Sequence, residues 1–300
     1  MSAGLLEQLA GLLSSRSQAG ICKPLAPMLD SIQAYHEIAN ALEDRRPFLA
    51  SRLGFCESSC LGSGSGWRFA GGETMRRLER YSGVFPANKR EFRKFARQYL
   101  DAFGEVDILG LIGTEAEARL VGAHGQGAKT CELGSLEPYF CQGPWSRHLE
   151  GLIVCVVHPF AESIRRQYET VREKLFSRPE VLPLFALQVV MPPQTIAGNT
   201  HGFKSWSEAL ESLKMAVSNL SFDVAILGCG AYGLPLGAFL KSRGSTVIHI
   251  GGATQMMFGV SGARWRANPL FENMINEYWK PPLESERPPG WQSIEDGCYW

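Results

Sequence analysis

Four apolar runs bounded by turn residues are spaced along the chain. They cover residues 106–113, 151–160, 222–228 and 245–252. Apolar side chains in these runs are nearly continuous and do not alternate with polar ones. Such runs are typical of strands that are buried on both faces of a parallel sheet. They therefore predict buried parallel strands.

Three amphipathic segments lie between or beside these runs, at residues 88–103, 162–176 and 205–220. Apolar residues recur in them every three or four positions and charged residues occupy the other positions, which predicts helices. Strands that alternate with helices predict βαβ units. We therefore expect an α/β, Rossmann-like fold in which a mostly parallel sheet carries helices on both faces.

The first 40 residues predict a helical extension. Its apolar residues recur at helical spacing, at Leu5, Leu6, Leu9, Leu12 and Leu13. A helix packed on the body is favoured over an interfacial membrane helix, which would carry basic residues on its polar face. Residues 59–73 and 281–300 are rich in Gly, Ser or Pro and predict loops. Because no long linker divides the chain, we expect one α/β domain over residues 41–300.

Composition excludes some classes of function. Thirty Lys and Arg residues balance 30 Asp and Glu residues, without a long run of one sign. A nucleic-acid partner is therefore not expected. Residues 224–240 carry no charge, but four glycines, a proline and a length below about 20 residues argue against a transmembrane segment. The eight cysteines include no CxxC pair, and we interpret them as buried thiols in a reducing cytosol.

A glycine motif, G-x-G-x-x-G, follows the third apolar run at Gly228, Gly230 and Gly233. Between a strand and a helix, such glycines permit a tight turn, close backbone approach to phosphate and close helix packing. A dinucleotide enzyme normally has an acidic residue at the end of the next strand, and residues 245–257 contain none. NAD(P) binding and simple packing of the helix on its sheet both stay open.

Two further strand ends carry polar side chains. His158 ends the second apolar run, and the helix after it brings Ser163, Arg165 and Gln167, which supply donors for phosphate or sugar oxygens. A solvated helix face is the alternative for the arginine. Gln255 follows the fourth run, where open sheets bind ligands, and is a better ligand candidate than His249, for which a core position is favoured over a catalytic role.

Arg52 and Glu57 flank Gly54 after a short apolar stretch. This spacing places a cation and a carboxylate where both could contact a ligand. A surface turn with an incidental ion pair has the same pattern.

Together these segments resemble glycosyltransferases of the GT-D fold and their relatives from bacterial surface-polysaccharide gene clusters. The resemblance runs in order from about residue 40 to the C-terminus. It rests on RPFLASRLGFCES, GVFPANKREFRKFARQYLDAF, IVCVVHPFAESIRRQYETVREKLF, FDVAILGCGAYGLPLGAFLKSRGSTVIHIGGATQMMFGVSGARW and EDGCYW. The block that ends at Arg264 and Trp265 is the most specific of them.

The resemblance implies transfer of a sugar from a nucleotide-diphosphate sugar to a glycan or lipid-linked acceptor. The family's early motif reads roughly R-F-G-D-G-E, and its acids are associated with a divalent metal ion, Mn²⁺ or Mg²⁺. Arg52, Gly54 and Glu57 match this motif, but Phe55 stands in place of the aspartate. Glu57 therefore lacks its partner as a metal ligand. Arginine and backbone N–H groups are the alternative source of positive charge for the leaving diphosphate.

The resemblance also suggests roles for individual residues. Glu57 is the first candidate for the base that deprotonates the acceptor, and His158 is the second. Arg264 and Trp265 are candidates for a phosphate clamp and a stacking platform, with core packing as the alternative for Trp265. The residues expected to bind the nucleotide sugar are Arg52, Gly54, Phe160, Ser163, Arg165, Gln167, Gly228, Gly230, Tyr232, Gly233, Gly251, Gly252, Gln255 and Arg264.

The sequence thus predicts a glycosyltransferase of surface polysaccharide synthesis, such as that of capsule or O-antigen. We expect it in the cytoplasm, peripheral to the inner membrane, with a homo-oligomer left open. An NAD(P)-dependent oxidoreductase and a non-catalytic relative that binds nucleotide or glycan are the alternatives.

Overall fold

One eight-stranded sheet forms the centre of the fold, and all of its strand pairs are parallel. The structure is a computed structural model that describes residues 28–63, 68, 70–125 and 127–300. The expected α/β, Rossmann-like class is confirmed. The leucines predicted to form an N-terminal helix lie outside the described residues.

The strands are short and mostly apolar, and they pair in the order β1-β4-β3-β2-β8-β7-β5-β6. The four predicted apolar runs contain β3, β5, β7 and β8. The strand bounds are β1 Met28–Leu29, β2 Phe48–Arg52, β3 Ile108–Leu111, β4 Lys129–Glu132, β5 Ile153–Val157, β6 Ala186–Val190, β7 Val224–Leu227 and β8 Thr246–His249.

The three predicted helices are present as α4, α6 and α7, and side-chain caps explain where α4 and α7 begin. Asn88 accepts from the Glu91 N–H before α4, and Ser205 accepts from the Glu208 N–H before α7. The helix bounds are α1 Ser31–Glu43, α2 Phe55–Leu61, α3 Gly72–Ser82, α4 Lys89–Phe103, α5 Glu115–His124, α6 Ala161–Val171, α7 Trp206–Ser218, α8 Gly233–Ser242, α9 Thr254–Met257 and α10 Ala263–Arg266.

Helices cover both faces of the sheet, as the continuous apolar strands predict. On β2, Leu49 packs into one core with α3, α4, α7 and α8, whereas Phe48 and Ala50 pack into the other with α1 and α6. Side chains of successive strand residues point to opposite faces. Each core therefore takes every second residue of the central strands.

Two neighbouring strands, β5 and β7, send their following helices to opposite faces of the sheet. α6 follows β5 and packs on the face that also carries α1, while α8 follows β7 and packs on the opposite face. Loops that diverge in this way open a crevice at the carboxyl ends of the strands, which is where open α/β sheets bind ligands.

Two boundary expectations can be compared with the described residues. The division expected between residues 40 and 41 falls inside α1, whose Ala34, Ile38 and Leu42 are buried in the core. Residues 281–300 contain only short 3₁₀ turns, close to the loop that the sequence predicts.

None of the helices within the described residues combines the length and the apolar character that a membrane crossing requires.

Candidate functional site

The chain segments at the ends of four strands meet at the carboxyl edge of the sheet. A Cβ atom built on Gly228, after β7, would lie 2.5 Å from the His158 ring, after β5, and 2.8 Å from the Gly251 carbonyl oxygen, after β8. A Cβ atom on Gly251 would lie 3.2 Å from Cδ and Nη1 of Arg52, after β2. The loops are close because parallel strands end at the same edge.

Arg52 lies among three buried carboxyl groups at this edge. Glu57 is 6% exposed, Glu117 is 1% exposed and Glu137 is 8% exposed. Burial raises the pKa of each carboxyl, and the positive charge of Arg52 opposes that rise in all three. In the described part of the chain Arg52 forms no ion pair, and its Nε donates to the Leu53 carbonyl at 3.2 Å. Its terminal nitrogens are thus available to an anion.

The side chain of Glu57 explains the need for Gly54 in the early motif. Glu57 lies in the first turn of α2, and a Cβ atom on residue 54 would lie 1.9 Å from its Oε2 atom. The Gly54 N–H donates to the Tyr99 hydroxyl at 3.1 Å, which anchors the turn on α4. The carboxyl group of Glu57 is therefore packed against the turn that carries Arg52.

Glu117 is a buried acid that the sequence analysis missed. Its Oε2 accepts from the N–H groups of Ile112 and Gly113, both at 2.9 Å. Its Oε1 is buried without a hydrogen-bond partner among the described residues. The spacing of Thr114 and Glu117 after β3 resembles a capping box, and this was the one signal in the sequence that could have identified the residue.

Glu137 is the second missed acid, in the segment after β4. Its Oε2 accepts from the Tyr139 hydroxyl at 2.8 Å. Burial raises the pKa of Glu137 to about 7, against the opposing effects of this hydrogen bond and of Arg52. No local pattern marks this glutamate, because its burial depends on Tyr139 and on the strand ends that surround it.

His158 is placed at the site, but its geometry indicates a structural role. Its Nδ1 accepts from the Phe160 N–H at 3.0 Å, so the ring holds the turn before α6. Burial lowers the pKa of His158 to about 3, which keeps the imidazole neutral. Phe160 in turn packs edge-on against Trp300. These contacts do not support His158 as the base of the site.

The start of α6 is occupied by a side chain of the protein itself. Glu286 accepts from the N–H groups of Glu162 at 2.7 Å and Ser163 at 3.2 Å, and it also contacts the Ser163 hydroxyl. The sequence analysis expected a phosphate or sugar oxygen at this helix start. The carboxylate supplies the anion instead, so the Ser163 donors are already engaged.

The other two predicted ligands on α6 are also engaged away from Arg52. Gln167 donates to the carbonyl oxygens of Gly259 at 3.0 Å and Tyr278 at 2.9 Å. Arg165 forms an exposed ion pair with Glu162 at 2.8 Å. The alternative of a solvated helix face therefore describes Arg165 better than a binding role.

Two glycines of the G-x-G-x-x-G motif have a packing reason. Gly228 lies against His158, as described above, and a Cβ atom on Gly233 would lie 2.2 Å from Nε2 of His249. Gly230 differs from them, because it has a φ of 58° and no atom within 4 Å of a built Cβ. Packing thus accounts for Gly228 and Gly233, and a left-handed turn accounts for Gly230.

Tyr232 and Gln255 are both buried and bonded within the protein. The Tyr232 hydroxyl hydrogen-bonds Thr195 Oγ1 at 2.7 Å, and its ring stacks on Trp206. Gln255 donates from Nε2 to the Val260 carbonyl at 3.0 Å, which leaves its Oε1 buried without a partner among the described residues. The glutamine is the better candidate of the two for contact with a ligand.

The C-terminal residues close the edge beside β8. A Cβ atom on Gly252 would lie 3.3 Å from the ring of Tyr299. Arg264 donates to the Tyr299 hydroxyl at 2.8 Å and forms an ion pair with Glu295 at 3.0 Å. Arg264 therefore holds the C-terminal segment. Trp265 packs edge-on against Phe271, in agreement with the packing alternative.

The donor set around Glu57 does not fit a divalent metal ion. Phe55, which stands where the family has its aspartate, is 53% exposed, and the nearby charge is the cation of Arg52. In the part of the chain that the structure describes, no group of three His, Cys, Asp or Glu side chains is placed to hold a metal ion. The expected role of Glu57 as a metal ligand finds no second ligand here.

A cavity of about 940 Å³ lies beside the first residues of α2. Phe55 and Cys56, which line it, directly precede Glu57 in the sequence. Phe55 and Cys56 line it from α2, Arg76, Arg77 and Arg80 line it from α3, and Ser293, Glu295 and Asp296 line it from the C-terminal segment. Its volume is within the range of small-molecule sites. Its wall mixes arginines with acids, since Glu73, Glu79, Glu295 and Asp296 also contribute.

The fold and this edge together define an α/β, Rossmann-like protein with an arginine among buried acids at the carboxyl ends of its strands. No family model, no curated protein and no solved structure matches the chain. The case for a function therefore rests on the geometry of the residues themselves.

Proposed function

We propose that the protein is a glycosyltransferase that moves a sugar from a nucleotide-diphosphate sugar to a hydroxyl group of a glycan or lipid-linked acceptor in surface polysaccharide synthesis. One observation carries the proposal. Arg52, which forms no ion pair within the described residues, lies at the carboxyl edge of a parallel sheet among the buried acids Glu57, Glu117 and Glu137. Open α/β sheets bind their ligands at this edge.

The reaction requires a positive charge for the leaving diphosphate and a base for the acceptor. Arg52 supplies the charge, because a guanidinium binds phosphate oxygens through two parallel hydrogen bonds. Glu57 takes the proton of the acceptor hydroxyl while the bond between the sugar and the diphosphate breaks and the new glycosidic bond forms. A carboxyl group whose pKa is raised by burial is a stronger base than an exposed one.

The alternative of an NAD(P)-dependent oxidoreductase has less support. β8 ends at His249, and no acidic residue follows it up to Met257. Packing against His158 and His249 explains two of the three glycines in the motif. A non-catalytic relative that binds nucleotide or glycan stays a second candidate, because Phe55 replaces the aspartate of the resembling family.

Ligand-induced thermal stabilisation separates these proposals. UDP- and GDP-sugars should raise the melting temperature, because a ligand that binds only the folded state stabilises it. Arg52→Met should abolish this shift, whereas Arg90→Met, an exposed arginine on α4, should keep it. Stabilisation by NAD(P) alone would favour the oxidoreductase.

Turnover then distinguishes an enzyme from a binding protein. Hydrolysis of the bound sugar nucleotide should fall by roughly 10²-fold or more in Glu57→Gln, the order of a lost general base. Glu150→Gln, an exposed glutamate, serves as the matched control. Unchanged hydrolysis in Glu57→Gln would rule out the role that we propose for this residue.

We further propose that the protein works in the cytoplasm at the periphery of the inner membrane, where lipid-linked acceptors are found.

A further inference from the structure

The two edge strands of the sheet differ in length. β1 has two residues, whereas β6 has five, and among the described residues β6 pairs with β5 alone. The register of β6 with β5 runs without interruption from Ala186 to Val190, so no bulge bends this edge. Short edge strands, bulges and charged side chains are the usual means by which a protein prevents its edge strands from pairing with other chains. The first two protect β1 or neither edge, and they do not protect β6.

Charge does not protect β6 either. Residues 181–200 contain no Asp, Glu, Lys, Arg or His. Leu184 and Met191, just outside the two ends of the strand, are 61% and 45% exposed. An uncharged edge strand flanked by exposed apolar side chains is a template on which a further strand can pair.

The outward backbone groups of β6 belong to Leu187 and Val189. The Ala186 N–H donates to the Leu152 carbonyl oxygen at 2.8 Å, and the Val190 carbonyl oxygen accepts from the residue after β5 at 3.1 Å. Every second residue from Ala186 therefore bonds to β5. The N–H and C=O groups of Leu187 and Val189 point away from the sheet, and they have no hydrogen-bond partner in the described part of the chain.

We propose that the protein forms a dimer in which β6 pairs antiparallel with β6 of a second copy, about a two-fold axis at Gln188. In this register Leu187 of each copy lies opposite Val189 of the other copy. Opposite residues of this kind exchange both of their N–H and C=O groups, so the outward groups of the two strands form four backbone hydrogen bonds. The two eight-stranded sheets become continuous.

Charge and length favour a second copy over an unrelated strand. A two-fold axis places each side chain opposite its own copy or opposite a near neighbour, so a charge in this segment would face a like charge. Residues 181–200 carry none. Pro183 precedes the strand, and Pro192 and Pro193 follow it. Because proline has no N–H to donate, the strip that can pair is short, and a second β6 matches its length.

The size of the contact sets the expected stability of the dimer. Two five-residue strands alone bury less than the roughly 1,200 Å² at which stable interfaces begin, and the exposed Leu184 and Met191 of both copies add only their own side chains. We therefore expect a dimer that dissociates on dilution. Its formation does not depend on the sugar-transfer proposal.

Sedimentation velocity of the full chain over a concentration series, with a charge exchange at the axis, tests the dimer. Gln188→Lys and Gln188→Glu each place two like charges opposite each other, and each should raise the dissociation constant by about tenfold or more. An equimolar mixture should restore the dimer, because lysine then faces glutamate. Recovery on mixing requires that both variants are folded, so it separates repulsion from misfolding. The control is Ile32→Lys, at an exposed position on α1 beside β1 and β4 at the far end of the sheet, and it should dimerise like the unmodified chain.

Two further variants check the backbone contact and the register. Val189→Pro removes an outward N–H without removing a bond to β5, a position where edge strands tolerate proline, and it should weaken the dimer. Gln188→Cys should form a disulfide between copies on mild oxidation, because residues opposite each other at such an axis have Cα atoms about 4.5 Å apart. Ala186→Cys should not, because its two copies lie more than about 13 Å apart.

Three outcomes overturn the proposal. A monomer at every concentration would leave β6 to a strand of a different protein. A dimer that persists in both Gln188 variants would use another surface. Failure of the mixed variants to dimerise would contradict the two-fold register.

Discussion

Replacing Glu137 with glutamine should make the folded protein more stable at pH 8 than the unmodified chain. Burial raises the pKa of Glu137 from 4.5 to about 7, so the folded state holds this proton more tightly than the unfolded state. The stability that the group contributes is complete below pH 4.5 and is lost as the pH rises through 7. Glutamine cannot ionise, and its amide oxygen can still accept the Tyr139 hydrogen bond.

The magnitude follows from the two pKa values. A rise from 4.5 to about 7 corresponds to about 3 kcal/mol between the protonated and ionised states. About 2–3 kcal/mol of this should develop between pH 5 and pH 8, because the unfolded chain is already largely ionised at pH 5. His158 and His249 titrate in the opposite sense, since burial lowers their pKa values to about 3. Their effect is common to both proteins and cancels in the comparison.

Urea unfolding at pH 5 and pH 8 measures this difference. The free energy of unfolding of Glu137→Gln, relative to the unmodified chain, should rise by about 2–3 kcal/mol from pH 5 to pH 8. Glu132→Gln, an exposed glutamate of β4, should show no such change. The account of Glu137 as a buried acid beside Arg52 would be refuted if the relative stability of Glu137→Gln were the same at both pH values.

Further substitutions test the packing of the glycine motif and the start of α6, each by urea unfolding. Gly233→Ala should lower the free energy of unfolding by about 1–3 kcal/mol, because the new methyl group crowds His249. Adding His249→Ala to this variant should recover part of that loss if the crowding is its cause. Gly230→Ala should cost about 1–2 kcal/mol from backbone strain alone, because its φ is 58° in open space. Glu286→Ala should lower the free energy of unfolding by about 2–4 kcal/mol, because it leaves buried donors at the start of α6 unpaired. The control Glu284→Ala, at an exposed position, should leave the free energy of unfolding nearly unchanged. Equal losses in the two variants would refute the capping role of Glu286.

Much of the architecture was predictable from local patterns. The apolar runs that contain β5 and β7 are buried on both faces, and the amphipathic segment over 88–103 forms α4 with its cap at Asn88. β1, β2, β4 and β6 were not predicted as strands. β1, β4 and β6 lie toward the edges of the sheet and carry partly exposed residues, so their sequences lack the continuous apolar character on which the prediction depends. β2 is central and buried, but its five residues were interpreted only as a short apolar stretch before Gly54.

The candidate site was predictable only in part. Arg52 and Glu57 were found because their spacing around Gly54 is local, and the structure gives that spacing a reason in the contact between Gly54 and the Glu57 carboxyl. Ser163 was expected to meet a ligand, but Glu286 reaches it from more than 100 positions later in the chain. A helix start shows that an anion is favoured there and does not show which anion arrives.

The sequence alone determined the periodic features of this protein: the strands with continuous apolar runs, the amphipathic helices and their apolar faces, and where a glycine or a cap allows the chain to turn. These depend on neighbours a few residues apart. Only the tertiary structure decided that Glu117 and Glu137 join Glu57 around Arg52, and that Phe55 and Cys56 line a cavity whose wall mixes arginines with acids. The reason is that burial and charge depend on residues that are distant along the chain and become neighbours only when the parallel strands end at one edge.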